Sequence, residues 1–417
     1  MARKVGVWVI GACGSVSTCM IAGVEAIKAG LVSRSGLVTD LAELAALPLA
    51  GLEDLVFAGY DIRSTDLLAA AREVHGFTGL LPDGMIERIR PALAEISSRI
   101  SYGCSVNCGE AIARYKSDGL QEEETPVARI VEKIQADLRG FRDRHGLADV
   151  ILVNLASTEP YLSAPEQWRE LRDFRGLIAN DRREQLCPSA IYAFAALDAG
   201  FPYVNFTPSA GSSIPALAQL AEERRVPHYG KDGKTGETLV KTTLAPMFLA
   251  RNLRILSWTG HNILGNRDGE VLDNPANREA KIRDKDETLR QLVRGQDVFS
   301  QVRIDYVPSL GDWKTAWDFI HFQGFLDAKM IMQFLWQGCD SALAAPLVID
   351  LVRMTEYAHR NGEAGALRHL ACFFKSPFQV ADHDFRNQFD MLVRYAEERT
   401  RAEAAATAVA ATAMPRP

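Results

Sequence analysis

Residues 231–238 bring together the groups that bind and activate a phosphate ester. They read Lys-Asp-Gly-Lys-Thr-Gly-Glu-Thr, so two glycines, two lysines and two threonine hydroxyls surround Asp232. Glycines let backbone N–H groups approach an anion closely, hydroxyls add hydrogen-bond donors, and lysines supply full charge. The stretch therefore predicts a phosphate-gripping loop in which Asp232 is available for proton transfer. A polar turn exposed to solvent has a similar composition, so the stretch alone leaves both interpretations open.

Composition narrows the class of protein that carries this stretch. The chain has 417 residues, of which 47% are hydrophobic, and a formal net charge of −6. The negative charge argues against a generic nucleic-acid-binding protein, and no apolar run approaches the ~18 residues of a membrane span. Seven scattered cysteines favour reduced thiols, and the amino terminus leads directly into a strand pattern rather than a signal peptide. These features predict a cytoplasmic protein of two or three domain-sized units.

The first element predicts a nucleotide-binding turn. An apolar run at 5–10 is followed by Gly11, Gly14 and Ser15, and then by apolar residues at helical spacing. Strand, glycine turn and helix in this order open a dinucleotide-binding unit, because the helix N-terminus offers free N–H groups to a pyrophosphate. Cys13 stands where the second glycine of the usual fingerprint would be. A tight turn that binds nothing therefore remains an alternative.

Further strands carry polar residues at their carboxyl ends. Asp61 follows an apolar run at 55–58 and could bind ribose hydroxyls or cap a helix. Because Asp61 comes later than the usual spacing after the first strand, an extra helix is expected before it, at 41–47. A strand at 150–153 leads into 154–159, and in open α/β sheets ligands bind at this edge. A helix then opens at Pro188 and Ser189. The succession of strands and helices predicts an α/β fold with a parallel sheet.

The second half adds a polar turn and several lysines. Asn262, Asn266 and Asp268 follow a predicted strand and suit hydroxyl recognition, cation binding or an ordinary turn. Lys281 and Lys285 are four residues apart and would share one face of a helix, although their charged neighbours favour a solvated face. The stretch at 311–314 is expected to begin a helix. An Ala-rich tail from about residue 400 is expected to fray.

These motifs, in this order, resemble the inositol-phosphate synthase family. Members of that family isomerise glucose 6-phosphate to inositol phosphate with tightly bound NAD. The match runs from the Gly11 turn to Lys375, and its most specific parts lie at 230–238, 262–269, 306–314 and 339–346. The resemblance implies a Rossmann-type NAD-binding domain, formed by 1–245 and 335–400, with an inserted α/β (α+β) catalytic and oligomerisation domain at 246–334. It also implies a homotetramer and a flexible tail at 401–417.

The family's site residues carry over position by position. The implied catalytic residues are Asp232, Lys281, Lys314 and Lys375. The implied cofactor-binding residues are Gly11, Gly14, Ser15, Asp61, Ile62, Ala156, Ser157, Thr158, Ser189 and Asp340. The implied ligands of the sugar phosphate and its hydroxyls are Thr235, Gly236, Glu237, Thr238, Asn262, Asn266 and Lys285. Asp268 or Asp340 could hold a divalent or monovalent cation, or neither could.

The chain departs from the family pattern in ways that bear on the site. Its first glycine loop is shorter, which puts the pyrophosphate contacts there in doubt. Lys231 stands where many members have a second aspartate, and Ser157 replaces a common asparagine. The pocket should therefore be more positive near Lys231. The amino-terminal extension of eukaryotic members is absent, which indicates a compact, prokaryotic-type member.

The implied reaction converts D-glucose 6-phosphate to 1D-myo-inositol 3-phosphate by oxidation at C5, enolisation at C6, aldol closure onto C1 and reduction at C5. In this scheme Lys281 and Lys314 stabilise the C5 oxygen, and Lys375 polarises the C1 aldehyde. Asp232 orients a lysine or the nicotinamide, while Lys285 binds phosphate. Three alternatives remain open at this point: a cyclitol- or carbasugar-phosphate synthase acting on another sugar phosphate, a net NAD(P)-dependent dehydrogenase, and a catalytically inert NAD-binding protein.

Overall fold

The computed structural model describes residues 3–120, 124–274, 277, 292–293 and 297–413. Within them, one parallel sheet consists of β1 Val5–Ile10, β2 Leu55–Asp61, β3 Ile100–Tyr102, β4 Asp149–Asn154, β5 Tyr203–Asn205, β6 Pro227–Gly230 and β11 Gly365–Ala366. The order across this sheet is β11-β6-β5-β4-β1-β2-β3. Every pairing in it is parallel. The predicted α/β fold is confirmed.

Helices cover both faces of the parallel sheet and meet it at alternating side chains. The described α-helices of the whole chain are α1 Ser15–Lys28, α2 Leu67–Thr78, α3 Asp83–Ser97, α4 Glu110–Ala113, α5 Val127–His145, α6 Leu171–Ala179, α7 Pro188–Asp198, α8 Pro215–Arg224, α9 Glu237–Ala250, α10 Arg267–Leu272, α11 Asp340–Arg360 and α12 Phe385–Ala413. In β1, Val7 and Val9 pack into one core while Trp8 and Ile10 pack into the other. A strand buried on both faces reads as a continuous apolar run, which is why β1 was predictable.

The strand order reverses at the middle of the parallel sheet. From β1 the chain moves outward through β2 and β3, and it then returns to the other side of β1 with β4. The loops that follow β1 and β4 therefore diverge to opposite faces and leave a crevice at the carboxyl ends of the strands. In doubly wound sheets this is where a dinucleotide binds.

A second, mixed sheet lies beside the first. Its strands are β7 Arg254–Leu264, β8 Phe299–Tyr306, β9 Trp313–Gln323 and β10 Lys329–Cys339, in the order β10-β9-β7-β8. The β7 and β8 strands run parallel, while β9 is antiparallel to both β7 and β10. Phe248 of α9 packs with Trp258 and Ile320 in the core beneath this sheet. The expected domain limit at 334/335 falls inside β10.

Three sequence-based expectations differ from the structure. Residues 313–323 form a strand, not the expected helix, because they pair on both edges and bury alternate side chains. Residues 41–47 form turns rather than a helix, since the segment is short and Pro48 disfavours a helical residue before it. The helix α12 extends to Ala413, through most of the expected tail, and its many alanines favour helix. None of the described helices has the length and apolarity that crossing a bilayer requires.

Candidate functional site

A cleft opens at the carboxyl ends of β1, β2 and β4, and the turn after β7 and the start of α11 also line it. Residues from widely separated segments line it together. Among the sequence-predicted residues these are Gly11, Gly14, Ser15, Asp61, Ile62, Ala156, Ser157, Thr158, Asp232, Thr235, Asn266, Asp268, Asp340 and Lys375. The fold thus brings the predicted cofactor-binding residues and two of the predicted catalytic residues to one place.

The turn after β1 requires glycine at its first position. Gly11 has a φ of +78°, and a Cβ added there would lie 2.9 Å from the Ala156 Cα. The N–H groups of Gly11 and Ala12 both donate to the Tyr60 carbonyl, at 2.8 and 2.9 Å. The turn is therefore pinned between the ends of β2 and β4. Its close approach leaves the N-terminus of α1 facing the cleft.

Asp61 supports this turn from the end of β2. Its Oδ2 accepts from the Cys13 N–H at 2.8 Å, and its Oδ1 accepts from the Arg63 N–H at 2.9 Å. The Arg63 guanidinium in turn donates to the Cys13 carbonyl. The backbone of Cys13 is thus held in place where the fingerprint has a glycine. A glycine turn, an acidic residue after β2 and a helix N-terminus fit a bound dinucleotide.

Ser189 reaches the cleft only through another residue. It is fully buried and does not line the cleft, but its N–H and its Oγ each donate to the Glu159 carboxylate at 2.7 Å. Glu159 lines the cleft, and its carboxylate lies against the first turn of α7. Burial raises the pKa of this carboxyl above its ordinary value. Sequence analysis did not single out Glu159, although it follows a strand at the edge where ligands bind.

Asp232 and Lys375 form a buried ion pair on the floor of the cleft. Lys375 Nζ lies 2.7 Å from Asp232 Oδ1. The backbones of the two residues are also joined, because the Lys375 N–H donates to the Asp232 carbonyl at 2.7 Å. The Lys234 N–H likewise donates to the Phe373 carbonyl at 2.8 Å. Two segments distant in the chain thus hold one acid and one cation together.

Lys314 does not line the cleft itself, but it is ion-paired with Asp340, which does. Lys314 is the second residue of β9 and is buried, and its Nζ lies 3.2 Å from Asp340 Oδ2. Thr235 Oγ1 donates to Asp340 Oδ1 at 3.4 Å. Asp340 begins α11, so one carboxylate joins the second sheet, the loop before α9 and the helix after β10. Strand geometry places Lys314 here in a way that a helix at 313–323 would not.

The polar turn after β7 contributes unequally to the cleft. Asn266 caps α10 by accepting from the Gly269 N–H at 2.9 Å, and its Nδ2 donates to Asp312. Asp312 also accepts from Ser341 N–H at 3.2 Å, so this buried carboxylate, which sequence analysis missed, links α10 to α11. Asn262 is buried within β7 and does not line the cleft. Across the described ranges, no three His, Cys, Asp or Glu side chains form a group able to hold a metal ion.

The remaining loop residues turn away from the cleft. Gly236, Glu237 and Thr238 do not line it, and a Cβ on Gly236 would lie 2.8 Å from Trp336 Nε1. The Glu237 carboxylate lies 2.8 Å from Lys241 Nζ, because both side chains are buried on the same face of α9. Glu237 is therefore misplaced among direct substrate ligands. Lys281 and Lys285 fall outside the described residues.

Comparison with known proteins agrees with this geometry. Residues 5–397 match the family described as Myo-inositol-1-phosphate synthase. Inositol-3-phosphate synthase 1 of Bacteroides thetaiotaomicron is 32% identical over 407 residues, which cover 92% of this chain and 91% of the relative. The human protein of the same name is 31% identical over 327 residues. These cover 76% of this chain but only 56% of the human protein, so the chain spans little more than half of that relative's length.

Solved structures show the same fold. The inositol-3-phosphate synthase of Caenorhabditis elegans superposes with a TM-score of 0.85 at 23% identity, covering 95% of this chain and 86% of that one. A myo-inositol-1-phosphate synthase-related protein of Thermotoga maritima gives a TM-score of 0.77 at 22% identity, covering 95% and 99%. The match of the family over nearly the whole length, together with the bacterial relative, settles the classification. This chain belongs to the myo-inositol-1-phosphate synthase family.

Proposed function

We propose that this protein is an NAD-dependent isomerase that cyclises D-glucose 6-phosphate to 1D-myo-inositol 3-phosphate. One observation carries the proposal: the Gly11 turn and the ion-paired Lys375 line the same cleft, and a second lysine, Lys314, is ion-paired with Asp340, which also lines it. A dehydrogenase needs a cofactor and one base, whereas ring closure must also stabilise an enolate and an alkoxide. Paired cations next to the cofactor site are suited to that additional task. The names of the relatives support the same activity.

The cofactor side of the cleft would bind and orient NAD. The Gly11 turn and the N-terminus of α1 would receive the pyrophosphate, and Asp61 would accept from the ribose hydroxyls. Residues 156–158, after β4, would flank the nicotinamide end. Bound NAD supplies a hydride acceptor for C5 of the sugar and returns the hydride after the ring has closed. The residues after β1, β2 and β4 would keep it in one orientation throughout.

The substrate side would handle charge on the sugar oxygens. Lys375 Nζ, which is ion-paired with Asp232, would donate a hydrogen bond to the C1 aldehyde oxygen and stabilise the alkoxide formed at ring closure. Lys314 Nζ would stabilise negative charge on the C5 oxygen, with Asp340 as its partner. Lys281 would share the task at C5. Lys285 would bind phosphate with Thr235, which lines the cleft.

The organisation implied by the resemblance belongs to the proposal as well. Residues 1–245 and 335–400 would form the NAD-binding domain, and 246–334 would form the inserted catalytic domain. The inserted sheet would join four copies into a homotetramer in the cytoplasm. Asp268, which lines the cleft, would be a ligand for any divalent or monovalent cation that assists the reaction.

The test is to incubate the purified protein with glucose 6-phosphate and NAD, with and without Mg²⁺ or NH₄⁺. Phosphorus and proton NMR would follow the sugar, and absorbance would follow NADH. We expect a cyclic inositol monophosphate without accumulation of NADH. The Lys375→Met variant is the matched control, since it removes a cleft cation but leaves the Gly11 turn intact.

Two other results would contradict the proposed substrate or reaction. Steady accumulation of NADH would identify a net dehydrogenase. If glucose 6-phosphate stays unchanged while another sugar phosphate is cyclised under the same conditions, the protein is a cyclitol- or carbasugar-phosphate synthase. Omitting the cations in parallel reactions would show whether either ion contributes to turnover.

A further inference from the structure

Three charged side chains lie buried together between α9 and the second sheet. They are Glu237 and Lys241, one turn apart on α9, and Asp318 on β9, with exposed fractions of 1%, 2% and 0%. Lys241 Nζ lies 2.8 Å from Glu237 Oε1 and 4.0 Å from Asp318 Oδ1. We call these three residues the α9 ion cluster. None of them lines the cleft.

Neighbouring residues hydrogen-bond to the α9 ion cluster and leave space for it. Trp258 Nε1 donates to Asp318 Oδ1 at 2.6 Å, and the indole ring lies 5.5 Å from Lys241 Nζ. Gly260 pairs with Asp318 across β7 and β9. A Cβ on Gly260 would lie 3.1 Å from Asp318 Oδ1 and 3.3 Å from Glu237 Oε1. The missing side chain at Gly260 thus gives both carboxylates room to approach Lys241.

Stability alone does not account for this arrangement. Taking charges out of water is unfavourable, and well-packed apolar residues of similar volume often replace a buried ion pair without loss of stability. What charges provide in addition is a defined mutual geometry, because each buried charge needs an oppositely charged group close to it. A buried cluster is therefore best understood by what it holds in place.

The α9 ion cluster joins two elements that carry site residues. Glu237 is the first residue of α9 and comes two residues after Thr235, which donates to Asp340. Asp318 lies on the same buried face of β9 as Lys314, four residues along the strand. A shift of α9 relative to β9 would therefore move Thr235 relative to Lys314. The distances between these two residues and Asp340 would change with it.

We propose that Glu237 is a positioning residue for ring closure, acting through Lys241 and Asp318. The α9 ion cluster fixes the start of α9 against β9 and so sets Thr235 and Lys314 at matched distances from the sugar phosphate. This inference rests on the proposed function. It gives Glu237 a structural task outside the set of direct substrate ligands.

The experiment compares Glu237→Leu with Glu237→Gln in the full-length protein. Leucine removes the acceptor for Lys241 Nζ, whereas glutamine keeps an acceptor oxygen in the same place. We expect Glu237→Leu to lower kcat/KM for glucose 6-phosphate by about 10²-fold, as a displacement of about 1 Å would. We expect Glu237→Gln to stay within about tenfold of wild type, because its hydrogen bond to Lys241 remains. The Kd for NAD should be unchanged in both variants, since no residue of the α9 ion cluster lines the cleft that the Gly11 turn borders.

Matched controls separate positioning from folding. Glu132→Leu, at an exposed position of α5, should leave turnover unchanged. If Glu237→Leu does not fold, Asp318→Asn replaces it, because it keeps an acceptor for Trp258 Nε1 but removes the charge beside Lys241. Near-wild-type kcat/KM in the folded variant would overturn the inference. An equal loss in Glu237→Leu and Glu237→Gln, or a matching loss of NAD affinity, would overturn it too.

The activity of the wild-type protein shows whether a negative result contradicts this inference or the proposed function. If it does not cyclise glucose 6-phosphate, the proposed function fails and calorimetric titration with inorganic phosphate decides the inference. In that case Glu237→Leu must weaken phosphate binding at least tenfold relative to Glu237→Gln. Equal affinities, or no phosphate binding by the wild type, would overturn the inference.

Discussion

Lys314 is the residue on which the chemical interpretation depends most directly. It occupies the second position of β9 and is buried, and it is ion-paired with Asp340, which lines the cleft. A buried charge needs an oppositely charged partner close by. Asp340 supplies that partner, with its Oδ2 3.2 Å from Lys314 Nζ, and so fixes the position of the lysine.

Replacing Lys314 with methionine should lower kcat by at least ~10², because the charge at the C5 oxygen is lost while the side-chain volume is kept. Steady-state turnover of glucose 6-phosphate measures this. Lys329→Met is the matched control, as Lys329 is an exposed lysine on β10 of the same sheet. Near-normal turnover in Lys314→Met would remove Lys314 from the mechanism.

Lys234 is another buried lysine, and its burial affects how the stability of the fold changes with pH. Burial lowers its pKa to about 8, and its Nζ donates to Gln388 Oε1 at 2.5 Å. The pKa of an unfolded lysine is ~10.4, so between about pH 8 and pH 10 the unfolded chain binds a proton that the folded chain does not. Stability at this site therefore rises with pH across that window, by up to about 3 kcal/mol.

Lys234→Met should remove this contribution, so that its thermal midpoint rises less, or falls more, than that of wild type between pH 8 and 10. Parallel thermal unfolding scans of the two proteins measure the difference in slope. Lys133→Met, at an exposed lysine of α5, should keep the wild-type slope. Identical slopes for Lys234→Met and wild type would contradict the lowered pKa.

Among the elements, the turn between β1 and α1 is the one whose geometry is most constrained. Gly11→Ala introduces a Cβ at a φ of +78° and 2.9 Å from the Ala156 Cα. We expect at least a tenfold loss of NAD affinity by calorimetric titration, because the turn must move away from β4. Gly23→Ala in α1 is the control, since a Cβ there meets nothing within 4 Å. An unchanged Kd in Gly11→Ala would place the dinucleotide elsewhere.

The same elements show why sequence predicted some of the structure and not the rest. The β1 strand was predictable because a short run of mainly apolar residues is a local signal that the sequence itself shows. The β9 strand was not, because Trp313, Ala316, Trp317 and Ile320 also fit helical spacing, and only pairing with β7 and β10 decides between the two. The contacts of Asp61 with Cys13 and of Asp312 with Asn266 depend on tertiary proximity. No spacing in the chain reveals them.

For the whole molecule, the second sheet presents an unusual surface. Large apolar side chains are exposed on β10, at 69% for Leu335 and 56% for Ile331, and on the connection between β9 and β10, at 88% for Phe325 and 83% for Leu326. Clustered apolar exposure of this kind marks a surface that another molecule covers. The resemblance implies that the covering molecules are other copies of this chain.

Leu335→Glu combined with Ile331→Glu should convert the expected tetramer into smaller species, because it places charges within the interface. Size-exclusion chromatography with light scattering measures the change. Val32→Glu, at an exposed apolar residue outside the second sheet, should leave the mass unchanged. A tetramer that persists in the double variant would move the interface away from this sheet.

The pairing of Asp232 with Lys375 has a consequence for biosynthesis. The two residues are 143 positions apart in the chain. The strands β1 to β6 leave the ribosome long before the segment that completes the floor of the cleft. A nascent chain could therefore close its dinucleotide turn early and still lack the cation for the sugar. A newly made molecule would then become able to hold the cofactor before it becomes able to act on the sugar.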